Sequence, residues 1–354
     1  MKNKYTIYLL GYTQQIHTNY YPWLRFYKVL KHLGYNVKWV EKDQIGNEKN
    51  RIFIMYCDPD LVNIVNEDIY KPGDIILQKV ITMSRFAPGK TANWGSTWEE
   101  CEEWMKNWRW CQYKLVEDGL DSGYNVYAFG CKTRYEEFPE KKRIVDKLNK
   151  EDRLFWVPWG SSLYDWDEIQ NAKPIMDGFT ADIGFVGSIW GKVGRGNIDS
   201  VEQFLQPLTN DIVKDHGKGD GKFIWNLGGM GTQRGPVNDE EHKQILKTSR
   251  VCPIINALSW KVEHGIQDRF WSIFTSGRFG VADSPGVLDF FNEDEVVWST
   301  DAEEYLDLTR YYIKNVDKQL PFIEKIQKRI KEEYNWYNTW DTILTKVIND
   351  NEKK

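Results

Sequence analysis

Two stretches in the second half of the chain combine arginine, glycine and helix-forming residues in a way that suits anion binding. The stretch GIQDRFWSIFTSGRFGVAD, residues 265–283, places Arg269 at the start of an aromatic helical pattern, where the helix field disfavours a cation. A negative partner would explain this placement. It could be Asp268 in a structural ion pair, or a diphosphate, whose oxygens accept two parallel bonds from a guanidinium.

The second stretch, FVGSIWGKVGRG, is a glycine-rich segment between a strand pattern and a helix pattern. Glycine lets backbone N–H groups approach an anion closely. Gly187 and Ser188 could therefore cradle a diphosphate, with positive charge supplied by Lys192 and Arg195. The segment lacks the ending of a Walker A loop and the spacing of a dinucleotide fingerprint, and an ordinary turn is the alternative.

Strand and helix patterns alternate along the chain in two successive series. In the first series, strand patterns such as YTIYLLGY and RIFIMYCD alternate with helical ones. The second series begins at ADIGFVGS, after a looser stretch, and ends in helical patterns. Alternation of this kind builds parallel sheets, whose ligands bind beyond the carboxyl ends of the strands.

The expected fold class is therefore α/β, with two Rossmann-like domains that face each other across a cleft. The predicted N-terminal domain covers residues 1–170, and the second predicted domain covers 171–331. The last predicted element, over 332–354, is a helix that packs back on the first domain.

The composition is that of a globular protein with an excess of aromatic residues. The 354 residues carry a formal net charge of −5, which argues against a protein that coats nucleic acid by charge alone. The 5 cysteines form no CxxC pair, and the sequence shows neither a signal-peptide pattern nor an apolar run of membrane-spanning length. We therefore expect a cytoplasmic protein with reduced thiols. The 17 Trp and 19 Tyr suit stacking of sugars or bases as well as packing.

Residues 182–344 resemble the C-terminal half of glycosyltransferases with the two-domain GT-B fold. The likeness rests on DRFWSIFTSGRFGVADSPGVLDFFNEDE and on the ending RIKEEYNWYNTWDTIL, which are similar to the spore-maturation-protein (CgeB-like) type. The layout also resembles the T-even phage DNA β-glucosyltransferases, which have a Gly-Ser loop with arginines and a later arginine helix. The matching positions in this chain are Gly187, Ser188, Arg195 and Arg269.

The resemblance implies an enzyme that transfers a sugar from a nucleoside-diphosphate sugar to a hydroxyl group. A UDP-sugar is the expected donor, and neither a metal nor another cofactor is expected. By this resemblance Arg195 and Arg269 would hold the donor diphosphate, and the backbone from Gly235 to Val237 would meet the nucleobase.

The chain departs from the family pattern at the positions that usually contact the donor sugar. In the family, a glutamate three residues after the arginine holds the ribose. Ser272 occupies that position here. Retaining relatives use a second glutamate. His264 occupies its position here, and Glu263 lies beside it. Ser272 could bond a ribose hydroxyl more weakly, Glu263 could substitute, or the donor could be an unusual one.

A catalytic base would come from the first half of the chain, because inverting members of this fold take an Asp, Glu or His from there. The candidates are His17, in the first strand-helix connection, and Asp58, after the RIFIMYC strand. A surface histidine and an Asp-Pro turn are the respective alternatives. An enzyme that retains configuration would need no such base.

Three functions remain open from the sequence. The first is a glycosyltransferase that acts on a bacterial surface, spore or protein glycan. The second is a phage-type enzyme that glycosylates hydroxylated bases in duplex DNA, in the cytoplasm of an infected cell, and whose binding would depend on salt. The third is a protein that binds a nucleotide sugar or a glycan without turnover, which the replacement at Ser272 favours.

Overall fold

The structure, a computed structural model, describes residues 2, 4–11, 13, 20–55, 69–80, 97, 99–100, 112–132, 135–137, 139–158, 164–189, 191–192, 195–208, 225–229, 232 and 234–353. For residues 21, 112–113, 140, 191–192, 195–196 and 225–226 it describes the backbone alone.

The described residues group by contact into two compact units. The first consists of residues within 1–92, 105–161 and 334–354, and the second of residues within 93–104 and 162–333. The domain bounds expected from the sequence stay a prediction, because a grouping by contacts does not show which segments fold independently.

The strands of the first unit form one parallel sheet. They are β1 (Thr6–Leu10), β2 (Asn36–Val40), β3 (Arg51–Met55), β4 (Ile75–Lys79), β5 (Val126–Gly130) and β6 (Leu154–Trp156). Their order in the sheet is β2-β1-β3-β4-β5-β6. β1, β3, β4 and β5 are buried along their whole length, which is typical of a parallel sheet covered on both faces.

The second unit contains a smaller parallel sheet and a short hairpin. Its strands are β7 (Ala181–Val186), β8 (Gly191–Lys192), β9 (Arg195–Gly196), β10 (Trp225–Gly228) and β11 (Ser249–Val251). The sheet order is β10-β7-β11, and β8 pairs with β9 in the hairpin. Parallel bridges from Ile254 to Ala282 and from Ala282 to Trp298 continue the sheet beyond β11.

The α-helices connect these strands and end the chain. They are α1 (Tyr20–His32), α2 (Gln112–Asp121), α3 (Pro139–Lys150), α4 (Trp166–Asn171), α5 (Ile198–Phe204), α6 (Asp239–Lys247), α7 (Leu258–Val262), α8 (Asp268–Thr275), α9 (Ala302–Lys314), α10 (Leu320–Glu332) and α11 (Trp336–Glu352). Among the described residues, no helix has both the length and the apolar character required to cross a bilayer.

In both sheets the order in which strands are added reverses at the first strand, which has neighbours on both sides. β1 lies between β2 and β3, and β7 lies between β10 and β11. In open α/β sheets, ligands bind beyond the carboxyl ends of the strands at such reversals. The fold therefore predicts ligand binding at the segments that follow β1 and β3 in one unit and β7 and β11 in the other.

The C-terminal helix α11 belongs to the first unit. Trp340 is fully buried, with its ring centroid 4.2 Å from that of Phe26 and 4.9 Å from that of Phe129. The indole Nε1 of Trp336 donates a hydrogen bond to Pro158 O at 2.9 Å. The expected α/β fold, with two Rossmann-like domains and a terminal helix that packs back on the first, is confirmed.

A buried arginine, Arg278, anchors the segment that leads into the second sheet. Its Nε donates to Ser249 O at 2.7 Å, its Nη1 to Ile175 O and its Nη2 to Arg250 O. The guanidinium carbon lies 4.3 Å from the ring centroid of Phe179, and burial lowers the pKa of the side chain to about 10. These contacts lie at the amino end of β11, away from the carboxyl edge of the sheet.

An ion-pair cluster between α2 and α3 gives the first unit a pH-dependent contribution to stability. Arg143 donates to both carboxylate oxygens of Glu117, at 2.7 and 3.0 Å. This lowers the pKa of Glu117 to about 2. The carboxylate therefore stabilises the fold above its ordinary pKa, and the contribution is lost as the pH falls through the folded-state value.

We expect Glu117→Gln to lower the melting temperature most at neutral pH, with a difference from the wild type that shrinks as the pH falls from about 5 to 3. Asp118→Asn, at a neighbouring and largely exposed carboxylate, is the control and should change little. A melting-temperature difference for Glu117→Gln that does not vary with pH would contradict this origin.

Candidate functional site

The loops that follow β7 and β10 lie in contact at the carboxyl edge of the second sheet. Gly187 N donates to Gly228 O at 3.0 Å, and Gly229 N donates to Gly235 O at 2.7 Å. A Cβ on Gly229 would lie 2.2 Å from Gly187 O, and Gly229 has a φ of 119°. Only glycine fits there, because any other residue would clash with the Gly187 peptide and strain its own backbone.

Two of the residues predicted to contact the donor base lie beside this junction. Gly235 is part of the turn that closes on Gly229, and Val237 packs against the end of β10. A Cβ on Gly228 would lie 2.9 Å from Cγ1 of Val237. The structure thus brings Gly187, Gly235 and Val237 into one region, while their roles stay a prediction.

Arg269 connects the ends of two neighbouring strands from its position in the first turn of α8. Its Nε donates to Val186 O at 2.8 Å and its Nη1 donates to Ile255 O at 2.7 Å. Val186 is the last residue of β7, and Ile255 lies on the chain that continues β11. The guanidinium therefore spans the reversal point of this sheet, where a ligand is expected in this class of fold.

The surroundings of Arg269 explain why a cation is tolerated at a helix start. The side chain is 8% exposed, and the guanidinium carbon lies 4.4 Å from the ring centroid of Phe185. Burial lowers the pKa of Arg269, while the charges of Asp268 and Asp283 oppose that shift. Strand-end carbonyls, rather than an ion pair with Asp268, accept its hydrogen bonds within the described residues.

The third nitrogen of the guanidinium, Nη2, points at Gly187. A Cβ on Gly187 would lie 2.0 Å from Nη2. Nη2 makes no hydrogen bond to any part of the chain that the structure describes, while Nε and Nη1 are held in place. An arginine fixed in this way offers N–H groups of defined direction to an anion at the Gly187 loop.

The glycines let the two loops approach each other closely, but their backbone N–H groups already donate hydrogen bonds. The N–H groups of Gly187, Gly229 and Gly235 all donate within the two loops. The donor that the described residues offer to an anion at this junction is therefore the Arg269 side chain. The predicted cradle at Gly187 and Ser188 stays a prediction.

The hairpin β8–β9 follows Gly187 directly and carries two of the predicted cations. Lys192 pairs with Arg195 across the hairpin. Asn197 Nδ2 donates to Ser188 O at 2.8 Å, which fixes the chain on either side of it. The side chains of Lys192 and Arg195 lie outside the described residues, so their contact with a diphosphate stays a prediction.

A buried polar cluster lies beside Arg269, and sequence reasoning missed it. Asp283 accepts hydrogen bonds from Asn256 N at 3.0 Å to each carboxylate oxygen and from Asn256 Nδ2 at 2.7 Å. Lys261 Nζ lies 2.7 Å from Asp283 Oδ2 and 3.6 Å from the ring centroid of Phe204. The available sequence signal was Asp283 at the end of the strand-like stretch RFGVAD, a position where open sheets place functional side chains.

The cluster is an ion pair removed from water. Asp283 is 0% and Lys261 3% exposed. Burial lowers the pKa of Lys261, and the adjacent Asp283 carboxylate opposes this shift. A buried pair of this kind costs desolvation free energy, so removing one partner alone would be strongly destabilising.

The residues that replace the family glutamates lie near Arg269 along the chain. Ser272 is one helical turn after Arg269 on α8 and is 3% exposed. Glu263 is 4% exposed, and His264 has a φ of 59° in the tight connection between α7 and α8. Their contact with a donor sugar stays a prediction.

The His264 connection depends on a second glycine contact. A Cβ on Gly286 would lie 1.8 Å from His264 O. We expect Gly286→Ala to lower the free energy of unfolding by about 1–3 kcal/mol, because the left-handed His264 backbone has little freedom to yield. Urea unfolding at equilibrium measures this. An alanine variant as stable as the wild type would show that the connection can move.

Both candidate bases, His17 and Asp58, lie outside the described residues. In the chain they follow β1 and β3, the two strands beside the reversal point of the first sheet. Their assignment stays a prediction. Within the described parts of the chain, no group of three or more His, Cys, Asp or Glu side chains could hold a metal ion.

Comparison with known families and structures gives the same fold. Residues 198–345 match a family model described as glycosyl transferase-like, Glyco_trans_1_2. A DNA-modifying β-glucosyltransferase, solved with and without uridine diphosphoglucose, superposes with a TM-score of 0.52 at 12% identity, over 98% of this chain and 99% of that one. No curated protein matches the chain.

Two further solved structures match with lower TM-scores. TarM of S. aureus, solved with UDP and α-GlcNAc-glycerol, has a TM-score of 0.47 at 12% identity, over 92% of this chain and 58% of that one. An α-glucosyltransferase solved with UDP and DNA has a TM-score of 0.48 at 8% identity, over 97% of this chain and 99% of that one. This chain therefore spans 58% of the length of TarM.

The family match and the β-glucosyltransferase superposition confirm the resemblance drawn from the sequence. The family match covers α5 through most of α11, and the β-glucosyltransferase superposition extends over both units. The chain therefore has the GT-B fold, and its residues 198–345 match a glycosyl transferase-like family model.

Proposed function

We propose that this protein transfers a sugar from a nucleoside-diphosphate sugar to a hydroxyl group. In this proposal the donor diphosphate binds at the carboxyl edge of the second sheet, beside Gly187. The observation that carries it is the fixed guanidinium of Arg269, which bridges the ends of β7 and of the chain after β11 and directs Nη2 at Gly187.

This geometry suits the departure of a diphosphate. Negative charge develops on the leaving group as the glycosidic bond breaks, and fixed donors stabilise such charge without reorganisation. Nε and Nη1 of Arg269 are already bonded, so the guanidinium does not lose rotamer freedom when the donor binds. The start of α8, where the cap residue Gln267 makes no side-chain cap bond, adds a favourable field for an anion.

The remaining donor contacts are proposed from position. Ser188, Lys192 and Arg195 follow Gly187 and would add donors and positive charge to the diphosphate site. The turn at Gly235 and Val237 would meet the nucleobase. Glu263, His264 and Ser272 would contact the ribose or the transferred sugar. The expected donor is a UDP-sugar, and the solved β-glucosyltransferase was studied with such a donor.

The acceptor would bind to the first unit, where His17 or Asp58 would remove the hydroxyl proton in an inverting reaction. We propose a surface, spore or protein glycan as the acceptor in a cytoplasmic setting, since a net charge of −5 does not favour duplex DNA. Neither an additional cofactor nor a metal enters this proposal.

The test is calorimetric titration of the protein with UDP, GDP and the corresponding nucleosides, followed by incubation with nucleotide sugars and mass spectrometry of the products. We expect the diphosphates to bind more tightly than the nucleosides, and one donor to yield a glycosylated acceptor. Equal binding of diphosphate and nucleoside would contradict the site. Diphosphate binding without any transfer or donor hydrolysis would instead indicate a binding protein.

The same incubation can include duplex DNA with hydroxymethylated bases beside glycan and peptide acceptors. Transfer to a glycan or peptide hydroxyl is the expected result. Transfer to the duplex alone, with an affinity that falls steeply as salt rises, would overturn the acceptor assignment while leaving the donor site intact.

A further inference from the structure

We propose that Asp283 is a positioning residue for the donor diphosphate, and that it acts through one peptide group on Arg269. The inference rests on the proposed function, because it assigns a role within the same donor site. It concerns the peptide between Ile255 and Asn256, which has Asp283 at one end and Arg269 at the other.

The peptide group is held from both sides. Its N–H, on Asn256, donates to both carboxylate oxygens of Asp283 at 3.0 Å. Its carbonyl, on Ile255, accepts from Arg269 Nη1 at 2.7 Å. Ile255, Asn256 and Asp283 are at most 1% exposed, so water does not compete for these bonds.

The electrostatics of this arrangement favour a fixed guanidinium. The peptide dipole has its positive N–H end at the Asp283 carboxylate and its negative carbonyl end at the Arg269 cation. Both are charge-assisted bonds, which are stronger than neutral ones, and bonds in series polarise one another. The other carbonyl on Arg269, that of Val186, belongs to a peptide whose N–H donates to a neutral carbonyl, Gly228 O.

Lys261, rather than Arg269, forms the ion pair with the Asp283 carboxylate. Its ammonium lies 2.7 Å from Asp283 Oδ2 and balances the carboxylate. Arg269 makes no ion pair with Asp283, so its positive charge stays available to a ligand at Gly187. Asp283 is itself fixed next to the Ala282 bridges, since Asp283 N donates to Ile254 O at 3.1 Å.

The test uses the double variant Asp283→Asn with Lys261→Met, which removes the charge pair without leaving one buried charge unpaired. The readout is the ratio of the affinity for a nucleoside diphosphate to that for its nucleoside, measured by calorimetry. We expect this ratio to fall about tenfold, with the nucleoside affinity changed less than about twofold, because the loosened Arg269 contacts only the diphosphate. Gly184→Ala, a buried clash with Ser249 Oγ on the same sheet, is the control and should keep the ratio.

A second variant covers the case in which the double variant does not fold. Asn256→Ala removes only the side-chain bond to Asp283 and should lower the ratio in the same direction by a smaller factor. If the wild type shows no preference for the diphosphate, the proposed function itself is wrong. If the wild type has the preference and a folded variant keeps it, or loses nucleoside affinity equally, the positioning role of Asp283 is wrong.

Discussion

Replacing Arg269 with glutamine is expected to weaken binding of a nucleoside diphosphate by about ten- to a hundredfold. A charge-assisted bond to phosphate contributes about 1.5–3 kcal/mol, and the substituted amide carries no charge. Affinity for the nucleoside, which lacks the phosphates, should change little. Calorimetric titration with both ligands measures the difference, and kcat of sugar transfer should fall with the diphosphate affinity.

Arg278 provides a matched control for this experiment. Both arginines are buried in the second unit, donate to backbone carbonyls and lie over a phenylalanine ring. Each glutamine variant leaves carbonyls unsatisfied, at a cost of about 1–3 kcal/mol for each. Both should therefore lower the melting temperature, while only Arg269→Gln should lose the diphosphate preference. A similar loss of that preference in Arg278→Gln would mean that general destabilisation, and not a phosphate contact, is being measured.

Replacing Gly187 with alanine is expected to have the second largest effect on donor binding. The new Cβ would lie 2.0 Å from Arg269 Nη2 and 3.2 Å from the tip of the Phe185 ring. It would therefore displace the guanidinium and occupy the position proposed for a phosphate oxygen. We expect a loss of diphosphate affinity of about tenfold or more, together with an overpacking cost of about 1–3 kcal/mol.

Gly184 supplies the control for the Gly187 experiment. It lies in β7, the strand that Gly187 follows, and a Cβ there would lie 2.2 Å from Ser249 Oγ. Gly184→Ala should cost a similar amount of stability and leave the ratio of diphosphate to nucleoside affinity unchanged. If Gly187→Ala binds the diphosphate as tightly as the wild type, the phosphate does not lie against this loop.

Much of the fold could be predicted from the sequence, because its parallel strands are short apolar runs bounded by polar residues and glycine. YTIYLLGY and RIFIMYCD became β1 and β3, and ADIGFVGS became β7. The helical patterns at the end of the chain became α10 and α11. Burial on both faces forces this composition on a strand, so the signal is local.

The contacts of the site were less predictable, because they join residues distant in sequence. The sequence placed Arg269 at the start of a helix, but it did not indicate the acceptors of that side chain. These acceptors, Val186 O and Ile255 O, are backbone atoms that any sequence could supply. Lys261 and Asp283 lie 22 positions apart and form their pair only when the segment with the Ala282 bridges places Asp283 beside α7. The hairpin β8–β9 was expected only as a loop, since two-residue strands leave no periodic pattern.

Because Trp340 of α11 is buried against Phe26 and Phe129, the first unit cannot complete its core until α11 has been synthesised. The segment that completes the first unit, 334–354, leaves the ribosome only after the whole of 162–333 has emerged. The second unit can therefore finish folding while the aromatic core of the first is still open to solvent. Nascent chains halted before α11 should expose that core and recruit chaperones, and release of the full chain should end this exposure.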